Sequence, residues 1–195
     1  MSRSYAVTYD YRCPFARNAH EAVLAALADG ADHEVTFRPF LLDEPHVEDG
    51  ELSVFDRPED EWGSGLLALM WSVAVRDNYS DHFLAWHAAA FRARHEHGRQ
   101  MGAAEVLADL VAEIGLDPQP VADLVASGAP LATVASEHRE LVKRHDVFGV
   151  PTFIAGDEAV FVRFMEPGRV DDLERALDML LWSRLNEFKR TRLPH

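Results

Sequence analysis

The residue best suited to covalent chemistry is Cys13, the only cysteine in the sequence. It follows an apolar, strand-like run at residues 5–9 (YAVTY) and precedes Pro14 and a helix-forming stretch at 18–28. Proline is favoured at the first helical position, because its missing N–H needs no partner there. The unpaired amides of a helix start favour an anion, so this placement predicts a nucleophilic thiol with a lowered pKa.

A second motif lies far along the chain, at residues 146–154 (DVFGVPTFI). Gly149 and Pro151 indicate a turn, and the aromatic and β-branched residues that follow indicate a short strand. Together, a Cys-Pro pair at a strand-to-helix junction and a Val-Pro-Thr motif before a late strand resemble the thioredoxin superfamily.

The resemblance is nearest to the DsbA-like branch and extends over nearly the whole chain. This branch includes FrnE-type oxidoreductases, mycothiol-dependent reductases, kappa-class glutathione transferases and 2-hydroxychromene-2-carboxylate isomerases. It implies a cis bond between Val150 and Pro151 and catalytic roles for Cys13 and Pro14. By resemblance, the residues expected to contact the substrate are Val150, Pro151, Thr152, Asp10, Tyr11, Phe15, Trp71 and Trp86.

The sequence departs from the family's Cys-x-x-Cys motif at Ala16, where the second cysteine is missing. With a single cysteine, an internal dithiol–disulfide cycle is impossible, and redox chemistry must proceed through a mixed disulfide with another molecule. The sequence therefore favours a monothiol oxidoreductase with no tightly bound cofactor. By resemblance, its cosubstrate is a low-molecular-weight thiol, mycothiol or glutathione, and its substrate is an organic molecule.

Two other functions remain open at this stage. One is a thiol-cofactor-dependent isomerase or transferase, because relatives of that kind also lack the second cysteine and usually have serine where Cys13 stands. The other is a non-catalytic thioredoxin-like module that binds an apolar ligand or a protein. The sequence also leaves open which side chains face the thiol, Asp10 and Arg12 or Tyr9 and Tyr11.

The elements around these motifs predict an α/β, thioredoxin-like fold with a central mixed sheet and an all-helical insertion. Strands at 4–10 and 33–40 bracket the first helix as a right-handed parallel βαβ unit. The sequence further predicts helices at 62–78, 80–97, 102–115, 118–127 and 130–145, a hairpin at 152–155 and 159–162, and a final helix from 170 to about 190. We expect residues 1–60 and 146–195 to form the thioredoxin-like domain and 61–145 the helical insertion. Residues 41–61 read as a surface loop.

Composition restricts the partners. The chain has 195 residues, 33 acidic against 19 basic residues and a formal net charge of −14, which argues against nucleic acid. The basic cluster at 189–192 is expected to be a solvated helix end. No segment approaches the roughly 20 apolar residues of a membrane span. The histidine spacings do not suggest a metal site.

The first residues lead directly into a strand, without the apolar region of a signal peptide. We therefore expect a cytoplasmic protein, where a free thiol is ordinary. The surface is compatible with a homodimer, which the sequence does not predict.

Overall fold

A four-stranded mixed sheet lies at the centre of the fold. The computed structural model describes residues 2–48 and 50–187. The strand order is β2-β1-β3-β4, with β1 parallel to β2 and antiparallel to β3. The predicted βαβ unit and hairpin are both present. The strands are β1 (Arg3–Tyr9), β2 (His33–Pro39), β3 (Thr152–Ala155) and β4 (Glu158–Phe161).

The first helix, α1 (Pro14–Ala28), connects the parallel strands β1 and β2. Its buried face is made mostly of alanine, at positions 16, 19, 22 and 26, so the helix can lie close to its neighbours. It packs against α3 and α7. The register of β1 against β2, from Arg3 opposite His33 to Tyr9 opposite Pro39, is continuous. The chain therefore leaves β1 at the end of a fully paired strand.

Five helices follow, close to the predicted positions. The second, α2, is buried along almost its whole length and packs against α3, α5 and α6. The start of α5 shows how its sequence specifies the boundary, because the carboxylate of Asp117 accepts the backbone N–H of Gln119 at 3.0 Å. The five helices are α2 (Ser64–Asn78), α3 (Ser80–His95), α4 (Ala104–Glu113), α5 (Pro118–Ala126) and α6 (Ala129–His145).

The last helix, α7, is shorter than predicted. It spans Val170–Leu180, whereas the sequence predicts helix to about residue 190. Leu173, Leu177 and Leu180 are buried, but Leu181 is 74% exposed. Helices in proteins depend on such tertiary packing, so the apolar stripe supports a helix only as far as it finds a surface. The predicted helix beyond residue 187 and the basic cluster at 189–192 lie outside the described residues.

The segment 41–61 is irregular, as expected, but buried side chains and a hydrogen bond hold it in place. Three short 3₁₀ turns occur at Glu44–His46, Val54–Asp56 and Glu59–Glu61. Val54 and Phe55 are buried, and the Val54 N–H donates to the Glu44 carboxylate at 2.8 Å. Within the described residues, no helix is both long and apolar enough to cross a membrane.

His138 on α6 is a buried histidine that the structure holds neutral. Its Nδ1 accepts the Leu41 N–H at 3.2 Å, and its ring stacks on Phe40 at 4.2 Å between centroids. Burial lowers the pKa of His138 to about 4. Since an unfolded histidine titrates near pH 6.5, the unfolded chain binds more protons than the folded one between about pH 6.5 and pH 4.

We predict that His138→Gln makes the free energy of unfolding less dependent on pH between about pH 6.5 and pH 4. The free energy of unfolding of the unsubstituted protein falls as pH decreases through this window, by at most about 1.4 kcal/mol per pH unit for one histidine. Glutamine can still accept the Leu41 N–H but does not titrate. Urea unfolding at several pH values should therefore show about one fewer proton taken up on unfolding. An unchanged pH slope would contradict the prediction.

Candidate functional site

Cys13 occupies the N-cap position of α1. Its backbone is extended (φ −83°, ψ 118°), and Pro14 begins the helix behind it. The Cys13 N–H donates to the Asp10 carbonyl oxygen at 3.0 Å, and the Cys13 carbonyl oxygen accepts the Arg17 N–H at 3.0 Å. The thiol is partly exposed. Ala16, where the family motif has its second cysteine, is fully buried one turn further along.

The Val-Pro-Thr segment lies directly beside the thiol. The Cys13 Sγ is 3.4 Å from the Val150 carbonyl oxygen, which accepts a hydrogen bond from the thiol. The Val150–Pro151 peptide bond is cis. Thr152 fixes this segment to β1, since its N–H donates to the Thr8 hydroxyl at 2.8 Å while its own hydroxyl donates to the Gly149 carbonyl at 2.8 Å. Two motifs 137 residues apart in sequence thus form one site.

The Asp10 carboxylate shapes the turn that precedes Cys13. It is fully buried and accepts the backbone N–H groups of Arg12 and Leu42, at 2.9 and 3.1 Å. It also pairs with the Arg12 guanidinium at 3.0 Å, which in turn binds Asp43 at 2.8 Å. A buried carboxylate is tolerated because these donors replace water. Asp10 is therefore committed to holding the turn.

Gly65 makes this arrangement sterically possible. A Cβ atom on Gly65 would lie 2.6 Å from the Arg12 Nε, well inside van der Waals contact. The absence of a side chain in the first turn of α2 therefore lets the guanidinium lie against the helix.

Tyr11 belongs to a chain of buried hydrogen bonds that joins the sheet to the helical layer. Its hydroxyl is 2.7 Å from the Ser72 hydroxyl on α2 and 2.9 Å from His87 Nδ1 on α3. His87 Nε2 is 2.8 Å from His20 Nδ1, and the Tyr9 hydroxyl is 2.9 Å from Ser72. These side chains are fully buried.

The last acceptor, the Thr8 carbonyl oxygen, determines which atom donates in each of these hydrogen bonds. His20 Nε2 lies 3.0 Å from the Thr8 carbonyl oxygen and must be its donor. His20 Nδ1 then accepts from His87 Nε2, His87 Nδ1 accepts from the Tyr11 hydroxyl, and Tyr11 accepts from Ser72. Burial lowers the pKa of His20 to about 4 and lowers that of His87 as well. Both imidazoles are therefore neutral, which the donor order requires.

The Cys13 thiol is less acidic than the sequence predicts. Burial raises the pKa of Cys13, and the nearby Asp10 carboxylate acts in the same direction. The backbone amides of Ala16 and Phe15 and the Arg163 guanidinium oppose the shift without overcoming it. The expectation of a lowered pKa is thus wrong in this structure, because desolvation of the thiolate outweighs the helix N-terminus.

Three aromatic side chains belong to the segments that form the site or pack against them. Phe15 follows Pro14 in α1, and Phe148 is 68% exposed with its ring 5.0 Å from that of Phe161. A Cβ on Gly149 would lie 3.2 Å from the Phe161 ring, so this glycine lets the ring approach the Val-Pro-Thr segment. These rings supply apolar surface at the site, and the Arg163 guanidinium lies over two of them, those of Phe15 and Phe161.

The structure separates the sequence-predicted substrate contacts into two groups. Phe15 and the Val150 carbonyl lie at the thiol. In contrast, Trp71 and Trp86 are 2% and 0% exposed and belong to the hydrophobic core together with Tyr11, and Asp10 is a fully buried carboxylate. The expectation that these four side chains line an open substrate site is corrected by their burial. Pro151 and Thr152 are also buried, and they position the segment next to the thiol.

Sequence reasoning missed several residues that position this site. His20, His87 and Ser72 lie on three different helices, and no local pattern links them. Arg163 follows β4 without any motif. The described residues contain no group of three or more histidine, cysteine, aspartate or glutamate side chains arranged to hold a metal ion.

Comparison with known proteins identifies the family. A family model described as the DSBA-like thioredoxin domain matches residues 67–178, more than half of the chain. The chain belongs to the DSBA-like thioredoxin domain family. The resemblance inferred from the two motifs is thereby confirmed. The matched residues include the Val-Pro-Thr segment but not Cys13, so family membership alone does not assign the thiol its chemistry.

Solved structures confirm the fold of this DSBA-like protein. Pseudomonas aeruginosa DsbA matches with a TM-score of 0.65 at 17% identity, over 94% of this chain and 84% of its own. The cytosolic disulfide reductase DsbM from the same organism, solved with GSH, matches with 0.63 at 19% identity, over 92% and 99%. A 2-hydroxychromene-2-carboxylate isomerase matches with 0.65 at 17% identity, over 92% and 97%. No curated protein matches the chain significantly.

We predict that the rate of Cys13 alkylation by iodoacetamide is still rising with pH above the ordinary thiol pKa of about 8.5. The reason is that burial disfavours the thiolate and raises the pKa of Cys13. Intact mass spectrometry should show one adduct, absent in Cys13→Ser. A rate that reaches its plateau below pH 8 would show that the helix N-terminus dominates instead.

We also predict that Tyr11→Phe lowers the free energy of unfolding by about 1–3 kcal/mol, because it leaves the Ser72 hydroxyl without its acceptor and His87 Nδ1 without its donor in the buried interior. Tyr5→Phe is the matched control, since the Tyr5 hydroxyl contacts His33 only at 3.4 Å in a part-buried position. Urea unfolding measures both variants. If both variants lost the same free energy of unfolding, the buried hydrogen bonds of Tyr11 would contribute no more than the part-buried contact of Tyr5.

Proposed function

We propose that this DSBA-like protein is a monothiol thiol–disulfide oxidoreductase that works through a mixed disulfide between Cys13 and a low-molecular-weight thiol. The observation that carries the proposal is the position of the thiol. Cys13 Sγ lies at the open N-terminus of α1 and 3.4 Å from the Val150 carbonyl, with Ala16 in place of a resolving cysteine. A sulfur joined to Cys13 would lie along the Val-Pro-Thr segment, whose backbone can pair with an extended partner.

The reaction proceeds in two exchange steps. The Cys13 thiol first loses its proton to solvent. The thiolate then attacks one sulfur of a disulfide RS–SR, so that a Cys13–S–SR bond forms, the RS–SR bond breaks and RS⁻ leaves. A second thiolate R′S⁻ attacks the SR sulfur, which produces RS–SR′ and regenerates the Cys13 thiolate. Cys13 then regains its proton, and the net exchange is RS–SR + R′S⁻ → RS–SR′ + RS⁻. When a second R′S⁻ reacts with RS–SR′ in the same way, RS⁻ and R′S–SR′ are formed, and two electrons have passed from two R′S⁻ to the original disulfide.

The cosubstrate in this proposal is glutathione or mycothiol. The structurally similar DsbM was solved with GSH, which supports a small thiol as the partner. A reducing cytoplasm supplies such thiols and keeps a lone cysteine reduced, so we propose a cytoplasmic location. We propose no nucleic acid or membrane partner, because the net charge is −14.

A specific observation favours a second function, a thiol-cofactor-dependent isomerase or transferase. Burial raises the pKa of Cys13, and the protonated thiol donates to Val150. A neutral thiol that donates a hydrogen bond can position a bound thiol cofactor without becoming covalently attached to it. The structural similarity to a 2-hydroxychromene-2-carboxylate isomerase agrees with this alternative.

We predict that the oxidised disulfide form of glutathione converts the protein into a one-to-one adduct. Intact mass spectrometry should detect a single glutathionyl group, reversed by excess thiol and absent in Cys13→Ser. Absence of the adduct between pH 7 and 9 would overturn the oxidoreductase proposal. Saturable binding of reduced glutathione to both proteins without an adduct would favour the isomerase or transferase, and no binding at all would favour a non-catalytic module.

Ala16→Cys provides a matched test of the monothiol mechanism. It introduces a thiol one helical turn from Cys13, at a buried position where a slightly larger side chain costs about 1–3 kcal/mol of stability. The introduced thiol should attack the mixed disulfide and release the glutathionyl group as an intramolecular disulfide forms. The adduct should therefore accumulate in the unsubstituted protein and not in Ala16→Cys.

A further inference from the structure

Arg163 is fixed beside the thiol by hydrogen bonds from both of its neighbours in the chain. The Val162 N–H donates to the Pro151 carbonyl oxygen at 3.2 Å, which ties the end of β4 to the Val-Pro-Thr segment. On the other side, the Asn18 side-chain amide on α1 donates to the Phe164 carbonyl oxygen at 2.8 Å. The Arg163 backbone is therefore held between the two elements that form the Cys13 site.

The Arg163 side chain lies between two aromatic rings of the same surface. Its Cζ is 5.4 Å from the centroid of the Phe15 ring and 5.8 Å from that of Phe161. Guanidinium groups are attracted to aromatic faces at such distances, and stacking restricts their rotamers while leaving the N–H groups at the edge free to bind. Phe15 is only two residues from Cys13. The guanidinium lies near enough to the Cys13 thiol to favour its thiolate electrostatically.

Arg163 also differs from nearby arginines in having no ion pair within the described part of the chain. Arg12 pairs with Asp10 and Asp43, and Arg17 pairs with Glu21 and Glu96. Arg163 is exposed and retains its donors. In a chain of net charge −14, an anionic ligand is repelled by the molecule as a whole, so a free guanidinium at the site has a large effect on which ligands can approach.

We propose that Arg163 is the residue that selects the cosubstrate thiol, by binding a carboxylate of the group that becomes joined to Cys13. This inference rests on the proposed function, because it concerns the molecule that forms the mixed disulfide. The rings of Phe15, Phe161 and Phe148 contact the carbon atoms between the sulfur and the carboxylate. A carboxylate-bearing thiol of the glutathione type is therefore preferred over an uncharged sugar thiol such as mycothiol.

The test compares disulfides that differ in charge. Bis(2-carboxyethyl) disulfide and bis(2-hydroxyethyl) disulfide are similar in size, but only the first carries carboxylates. The rate constant for forming the Cys13 mixed disulfide is measured with each by intact mass, and the ratio of the two cancels the thiolate fraction. We expect Arg163→Gln to lower the anionic-to-neutral ratio about two- to fivefold, as for loss of an exposed ion pair. Arg163→Glu should lower it further.

Matched variants separate a local effect from a change in net charge. Arg139→Gln removes another exposed arginine that lies over an aromatic ring, that of Phe55 at 5.6 Å, and it should leave the ratio near the unsubstituted value. Arg163→Lys keeps the charge and should retain most of the preference. High salt should reduce the ratio of the unsubstituted protein towards that of Arg163→Gln. Equal ratios for Arg163→Gln and Arg139→Gln would overturn the proposal.

A second pair of probes keeps this result distinct from the proposed function. Iodoacetate and iodoacetamide alkylate Cys13 without any disulfide exchange, and only iodoacetate carries a carboxylate. One outcome is that disulfides form no adduct but Arg163→Gln still lowers the ratio of the alkylation rates with iodoacetate and iodoacetamide. The oxidoreductase proposal then fails. The preference for anions at Cys13 stands, but there is no cosubstrate thiol for Arg163 to select. If adducts form and neither ratio changes, the oxidoreductase stands and the inference about Arg163 fails.

Discussion

The buried carboxylate of Asp10 is the constraint on which the site depends. A carboxylate cannot be left unpaired in the interior, so the chain must bring donors to it. The donors are the N–H groups of Arg12 and Leu42 and the Arg12 guanidinium. Meeting this requirement fixes the turn between β1 and α1, connects it to the segment after β2, and leaves Cys13 at the helix start. The position of the thiol is thus a consequence of how one buried charge is satisfied.

A second buried polar system connects the two parts of the fold. The chain of hydrogen bonds from Tyr9 through Ser72, Tyr11, His87 and His20 ends on the Thr8 carbonyl. It includes residues of β1, α1, α2 and α3. Because every donor has one acceptor and both histidines must be neutral, the helices can satisfy these groups in only one relative arrangement. The hydrogen bonds therefore specify how the helical layer sits against the sheet, while apolar packing supplies most of the stability.

The reactivity of Cys13 is set by two opposing effects. The helix N-terminus and Arg163 favour the thiolate, whereas burial and Asp10 disfavour it. Desolvation is the largest of these effects, so the pKa of the thiol is raised. The nearby Arg163 makes no ion pair within the part of the chain that the structure describes. A raised thiol pKa lowers the fraction of thiolate that is present at neutral pH. In the oxidoreductase that we propose, binding of the cosubstrate is therefore expected to contribute more to rate and selectivity than the acidity of the thiol.

The sequence by itself determined the elements and the two motifs. The strand before Cys13, Pro14 at the helix start, the five helices between 64 and 145 and the late hairpin all follow from local periodicity and capping. The loss of the second cysteine at Ala16 is likewise a fact of sequence. The match to a family model then confirmed the fold that these motifs suggested.

Only the tertiary structure decided which of the candidate residues meet the thiol. Trp71 and Trp86 lie at helical spacing that fits a core or a pocket equally well, and burial alone distinguishes the two. Arg163 is held near Cys13 by the pairing of β4 with β3 and by the hydrogen bonds that its neighbours Val162 and Phe164 make with Pro151 and Asn18. No local pattern encodes these contacts. The pKa of the thiol also depends on desolvation by distant residues. The sequence shows that Cys13 lies at a helix start. How far the thiol is shielded from water depends on the packed fold.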